Sequence, residues 1–268
     1  MLARGLEPDS GSFDLTQILR DRRWLLRASP FTHAVAQEVF SEAFYCDLKR
    51  ALAGLLSRGF GSARETDRLA RNMPNSDAHA WNFPVDVDGP FGLFYSRAWH
   101  DTLAGLFGVA ATGDVNAAVH YHQVGSANGS VHRDLGVAWF SDQPRADGIN
   151  PMDLTRCSYT SGKTSAPDIA AREVVRAITM IYYVGNPAWA QGDGGETGFY
   201  RAADDDVAAP ALAIAPLENS MIVFENTPAS YHSFIRNRRH PRTSIILWLH
   251  RRKTEALERF GDAVRLTW

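Results

Sequence analysis

Hydrophobic and polar positions change rhythm near the middle of the chain. In the N-terminal part the apolar spacing is helical. Residues 14–26 place Leu15, Ile18 and Leu19 on one face, with Arg20, Asp21 and Arg22 elsewhere, which predicts a short helix. Residues 31–40 alternate well enough for a strand. Ser41 then stands at an N-cap position with Glu42 in the first turn, and Phe44, Leu48, Leu52 and Leu55 keep a three-to-four spacing. Gly59 and Gly61 are expected to end that helix. Residues 62–88 are polar, with Pro and Asn, and read as a long loop or lid edge. Residues 89–107 suit a second helix backing a sheet.

From residue 115 onward the rhythm is that of strands. Segments 117–124, 174–184, 196–200, 220–224, 231–235 and 243–249 are short, apolar and rich in β-branched and aromatic residues, with turn residues at 125–129 and 192–198. Between them, 141–171 is dense in Asp, Pro, Ser, Thr and Gly, a long connection of the kind that is usually functional or disordered. Helices first and strands afterwards predict a mainly β, α+β protein whose second half is a sandwich or barrel. The expected organisation is one domain over 1–268, with helical support and lid elements in 1–110 and a β core over 115–250 carrying the insert 141–171.

Composition narrows the function classes. With 45% hydrophobic and 22% charged residues the chain is ordinary globular protein, long enough for a sizeable core. A net charge of −2 points to neither nucleic acid nor a membrane surface as partner. Two separated cysteines, Cys46 and Cys157, argue against a disulfide framework or a zinc ribbon. No signal-like or membrane-spanning apolar run is visible, so a soluble cytoplasmic protein is expected.

The candidate chemistry centres on His132-Arg133-Asp134. In extended backbone, residues two apart project to the same side, so an imidazole and a carboxylate stand together. A distant His would complete the two-His, one-carboxylate set of non-haem Fe(II), which leaves positions open for substrate and O2. His232 is the best candidate, and Arg242, ten residues later, can sit on the neighbouring strand. Arg grips a carboxylate in a two-pronged fork, which suits a dicarboxylate chelating the metal through a 2-keto acid: 2-oxoglutarate. Other readings stand beside this one. His120, His122 and His132 could form a zinc site, His232 could be a core histidine, and Tyr183 and Trp248 could simply fill a barrel. Arg133, between two ligands, should point away.

The segment 117–249 resembles the prolyl-hydroxylase-type branch of the Fe(II)/2-oxoglutarate dioxygenases. The matching pieces are His132-Arg-Asp134, Ile178-Thr-Met-Ile-Tyr-Tyr-Val-Gly-Asn-Pro-Ala-Trp189, Gly194-Gly-Glu-Thr-Gly-Phe199, Asn219-Ser-Met-Ile-Val-Phe224, His232 and Arg242-Thr-Ser-Ile-Ile-Leu-Trp248, in that order. The resemblance implies a double-stranded β-helix (jelly roll) with supporting N-terminal helices. It implies Fe(II) held by His132, Asp134 and His232, and 2-oxoglutarate bound by Arg242 and Tyr183. A further tyrosine would be Tyr121, although a gapless match puts His122 there. The implied reaction couples oxidative decarboxylation of 2-oxoglutarate, using O2, to oxidation of a C–H bond: hydroxylation, or desaturation or ring closure. Related halogenases have a small residue where this chain has Asp134, so halogenation is not expected. The expected substrate is a small amino-acid-derived or natural-product molecule, with peptidyl proline as the alternative and a non-catalytic, zinc-binding jelly roll as a third reading. The insert 141–171 is expected to act as a substrate lid.

Overall fold

The computed structural model describes residues 13–20, 22–62, 66–71 and 77–266. Its first strands are β1 (Leu25–Arg27), β2 (His33–Ala36), β3 (Phe60–Gly61), β4 (Leu69–Ala70), β5 (His79–Asn82), β6 (Asp114–His122) and β7 (Val137–Ser141). They are followed by β8 (Asn150–Pro151), β9 (Ala171–Tyr183), β10 (Thr197–Tyr200), β11 (Leu212–Ile214), β12 (Ser220–Glu225), β13 (Tyr231–Phe234) and β14 (Arg242–Arg252). The helices are α1 (Leu15–Ile18), α2 (Glu42–Ser57), α3 (Arg97–Phe107) and α4 (Lys253–Phe260), with a 3-10 segment at Gly89–Tyr95.

A large sheet runs β1-β2-β12-β9-β14-β6-β5-β4-β3, with β7 added on β9 and β8 on β6; a small sheet runs β11-β10-β13. The period of two along each strand explains how the sheets meet. On β9, Met180 and Tyr182 join Phe40, Leu48, Leu52 and Trp99 in a core under the helices, whereas Ile181 and Tyr183 turn the other way to meet Phe199, Ile222 and Phe224. The second face is the interior of the jelly roll. On β6, Val115, Ala117 and Val119 face the helices, and Tyr121 packs against the same core. His120 and His122 face inward.

The helix expected at 41–58 forms as α2 and buries Tyr45, Leu48, Leu52 and Leu55, but the Ser41 side chain makes no cap bond. The helix expected over 14–26 is a single turn, α1, and the chain goes on to an exposed edge strand, β1. Residues 62–88 are not simply a loop: β5 pairs along β6 from His79↔Tyr121 to Asn82↔Ala118. The insert 141–171 is packed rather than loose. Met152 and Tyr159 join Ala138, Phe140 and Val174 in a small core of their own, and β8 pairs with β6. No helix among the described residues is long and apolar enough to cross a membrane.

Candidate active site

β6 ends at His122, and the chain returns through a turn to meet β13. His132 and His232 pair as an antiparallel bridge, each main-chain N–H donating to the other's carbonyl at 3.0 and 2.8 Å. Both imidazoles are oriented in the same way. Nδ1 of His132 lies 2.8 Å from the Ser130 carbonyl, and Nδ1 of His232 lies 3.1 Å from that of Ser230. A carbonyl only accepts, so each ring carries its proton on Nδ1 and keeps the Nε2 lone pair free. Those two Nε2 atoms lie 3.8 and 3.7 Å from the carboxylate oxygens of Asp134. Among the described residues, His132, Asp134 and His232 are the one group able to hold a metal, with ligand atoms within 4.8 Å of one another. Two imidazoles with Nε2 turned inward and one carboxylate fit Fe(II). His120 and His122 do not belong to the group.

Asp134 is fixed by three donors. Arg176 Nη1 reaches Oδ1 at 3.2 Å; Thr179 Oγ1 and Trp248 Nε1 reach Oδ2 at 2.9 and 2.7 Å. The Thr179 hydroxyl also lies 3.0 Å from the Asn226 amide oxygen position. One proton cannot serve both, so the Asn226 amide presents its NH2 to Thr179 while the hydroxyl donates to Asp134. Each carboxylate oxygen has about two acceptor positions. Oδ2 therefore carries two donors and Oδ1 one, with His132 Nε2 lying against Oδ1 and His232 Nε2 against Oδ2. Burial alone would raise the Asp134 carboxyl. The Arg176 guanidinium, the His232 and His132 rings and the Trp248 N–H outweigh it and hold the group far below the ordinary carboxylate range. Trp248, expected as barrel filling, is thus a partner of a candidate metal ligand. Arg133 turns away as expected and donates to the Pro228 carbonyl at 3.2 Å.

A second cluster lies deeper. Arg242 is buried between the rings of Tyr183 and Phe234, each 5.1 Å from its guanidinium carbon. Its Nη2 donates to Thr197 Oγ1 at 3.0 Å, and the Tyr183 hydroxyl meets the same oxygen at 2.6 Å. Across the ladder Arg242 pairs with His122 and Ser244 with His120. His122 stacks on Phe234 with centroids 3.8 Å apart. Arg242 Nε, His122 Nδ1 and Ser244 Oγ are buried with no protein hydrogen-bond partner, an unsatisfied polar lining that a dicarboxylate would complete. Burial, aided by Arg242, pushes His120 down to about 4 and His122 well below its ordinary value, so both rings are neutral at neutral pH and Arg242 is left as the cation. Tyr121 is not brought to this cluster. It lies on the helix-facing side of β6, against Phe60 at 5.5 Å, and His122 stands where a tyrosine was expected.

The glycine pair has a steric reason. Gly194 has φ +77°, and a Cβ there would come within 2.1 Å of the Arg236 carbonyl. This close pass bridges Gly194 to Asn237 and joins the turn after β9 to the segment leading into β14.

Residues 155–250 match the 2OG-Fe(II) oxygenase superfamily. That match, over part of the chain, supports a 2-oxoglutarate-dependent dioxygenase that uses Fe(II), 2-oxoglutarate and O2. The chain's fold is the jelly roll of the prolyl-hydroxylase type. A prolyl-4-hydroxylase from Pseudomonas putida is similar at a TM-score of 0.50 and 16% identity, over 82% of this chain and 92% of that one. A prolyl hydroxylase from Trichoplax adhaerens, solved in complex with a hypoxia inducible factor oxygen degradation domain peptide fragment, is similar at 0.49 and 15%, over 81% and 83%. No curated protein matches the chain in sequence.

Sequence reasoning assigned no site role to Arg176, Thr179, Thr197, Trp248 or Tyr159. The signal available for two of them was parity. Thr179 has the same inward parity as Tyr183 on β9, and Trp248 the same as Arg242 on β14.

Proposed function

We propose that this oxygenase hydroxylates a prolyl residue displayed on a peptide or protein. The observation that carries the reading is where the triad opens. The His132 side chain is 42% exposed, whereas those of Asp134 and His232 are 6% and 7% exposed. The site therefore meets solvent along the His132 edge, where a residue carried on a chain can approach without being engulfed. The fold likeness to the Pseudomonas putida prolyl-4-hydroxylase supports the same reading.

Fe(II) with 2-oxoglutarate and O2 supplies the oxidant that removes hydrogen from a C–H bond and returns hydroxyl. In this reading the protein's part is positional. His132, Asp134 and His232 hold the metal. Arg242, backed by Thr197 and Tyr183, takes the far carboxylate of 2-oxoglutarate, and His122 flanks it. Asp134 occupies the position that a halide would need.

A small amino-acid-derived or natural-product substrate is the second reading. It is favoured by the packed insert, whose Tyr159 contacts Arg176 beside Asp134. The test gives the iron-loaded protein, 2-oxoglutarate and O2 either a library of proline-containing peptides or a pool of amino acids and their derivatives. Gain of one oxygen by a peptide at proline is the expected outcome. Oxidation confined to the small molecules would replace the first reading with the second.

A further inference from the structure

The insert carries a contact that the metal ligands themselves do not explain. We infer that Tyr159 and Arg176 form a positioning relay through which the insert fixes the Asp134 carboxylate. The inference rests on the reading of the triad as the metal centre.

The hydrogen bonds run in one direction, with Asn116 as a further partner of the Tyr159 hydroxyl. His250 Nδ1 lies 2.8 Å from the Asp114 carbonyl. That oxygen can only accept, so the His250 proton is on Nδ1 and Nε2 is an acceptor. The Tyr159 hydroxyl, 2.9 Å from His250 Nε2, must then donate to it. Having given its one proton, the Tyr159 oxygen accepts from Arg176 Nε at 3.0 Å. Arg176 Nη1 is left aimed at Asp134 Oδ1, 3.2 Å away. Every proton in the chain has one place, and the direction is set by a backbone carbonyl.

Tyr159 is also anchored independently of this chain. Its carbonyl accepts the Trp139 N–H at 2.9 Å, and its ring packs edge-on against Phe140. Arg176 is held over the Trp248 ring, 4.8 Å from its centroid. Without the Tyr159 hydroxyl, Arg176 Nε loses this acceptor, and the aim of Nη1 at Oδ1 is less constrained. Asp134 would then lose the firm aim of one of the three donors that fix its carboxylate. Tyr159 thus holds the donor that orients Asp134 Oδ1. The segment 141–171 is therefore a strut for a metal ligand.

Tyr159→Phe separates the relay from packing, because the ring stays and only the hydroxyl goes. Co(II) is the probe, titrated into the full chain without 2-oxoglutarate and followed by its d–d absorption. Tyr159→Phe should bind Co(II) about tenfold or more weakly, in the range of lost outer-shell partners, and shift the absorption band. Arg176→Lys, whose ammonium lacks the planar guanidinium that bonds Tyr159 and Asp134 at once, should shift the band too, and Met152→Leu, a packing change in the same small core, should not. If Tyr159→Phe does not fold, Arg176→Lys decides in its place. Unchanged Co(II) affinity and spectrum in a folded Tyr159→Phe protein would overturn the relay alone. No Co(II) uptake by the wild type, or undiminished uptake by His232→Ala, would overturn the metal centre and the relay together.

Discussion

His132 and His232 hold each other by their main chains, exchanging two hydrogen bonds at 3.0 and 2.8 Å with ring centroids 4.4 Å apart. The spacing of two candidate ligands is thus set by a backbone bridge, while the imidazoles are aimed by the carbonyls of Ser130 and Ser230. Side-chain loss at either position should leave the bridge intact.

His132→Ala and His232→Ala should therefore fold and lose the metal. Each variant keeps two of three ligands, which is too few for a stable Fe(II) site. Metal analysis after anaerobic loading, alongside circular dichroism, checks this. Stoichiometric iron in both folded variants would mean that the triad is misassigned.

Arg242→Ala should weaken 2-oxoglutarate far more than it weakens iron. Truncating one side of a buried, charge-assisted pair costs on the order of 2–5 kcal/mol, and about 1.4 kcal/mol is tenfold. The dissociation constant for 2-oxoglutarate should rise at least tenfold by calorimetry on the metal-loaded protein. Arg242→Lys should recover part of the loss, since an ammonium lacks the planar fork. An unchanged constant in Arg242→Ala would remove 2-oxoglutarate from this end of the barrel.

Tyr121 and His122 can be told apart directly. Tyr121 packs against the helix-side core, and His122 lies opposite Arg242. Tyr121→Phe should leave the KM for 2-oxoglutarate within about twofold. His122→Phe should raise it several-fold, the value of one hydrogen bond at roughly 0.5–1.5 kcal/mol. The reverse pattern would return the co-substrate contact to Tyr121.

Acid should destabilise the metal-free protein through two buried rings. Burial, with Arg242 adding, pushes His120 down to about 4. Burial also pushes His250 to about 4 against the Asp114 carbonyl and charge. Both values lie below the ordinary histidine value of about 6.5, so the unfolded chain binds the extra protons. The stabilisation from a neutral, buried ring is complete above pH ~6.5 and is lost as pH falls toward about 4, costing about 2 kcal/mol per ring by pH ~5. Urea midpoints measured from pH 7 to 5 should fall steadily, and His250→Gln should flatten part of the slope. A profile flat over that range in the wild type would contradict the neutral, buried state of these rings.

Much of the site was legible from local pattern. The pairing of His132 with Asp134, two apart in extended backbone, follows from the strand period of two, whereas Tyr183 and the weight given to His232 came from the resemblance of the motifs around them. The helical spacing of Leu48, Leu52 and Leu55 likewise anticipated α2. What only the tertiary structure decided is what lies across each face. β6 alternates Val115, Ala117, Val119 and Tyr121 with Asp114, Asn116, His120 and His122, yet its polar face is buried too: His120 and His122 are 7% and 6% exposed. An alternation tells which residues share a side. It does not tell whether the polar side meets water or a cavity, because that depends on strands 60 to 130 residues away pairing in register. The same long-range register brings Thr179 and Arg176 from β9 and Trp248 from β14 onto Asp134, gives β5 its place on β6, and packs the polar insert against the strands. Its composition predicts no core of its own, and Met152 and Tyr159 acquire one only by borrowing Ala138, Phe140 and Val174 from the strands on either side.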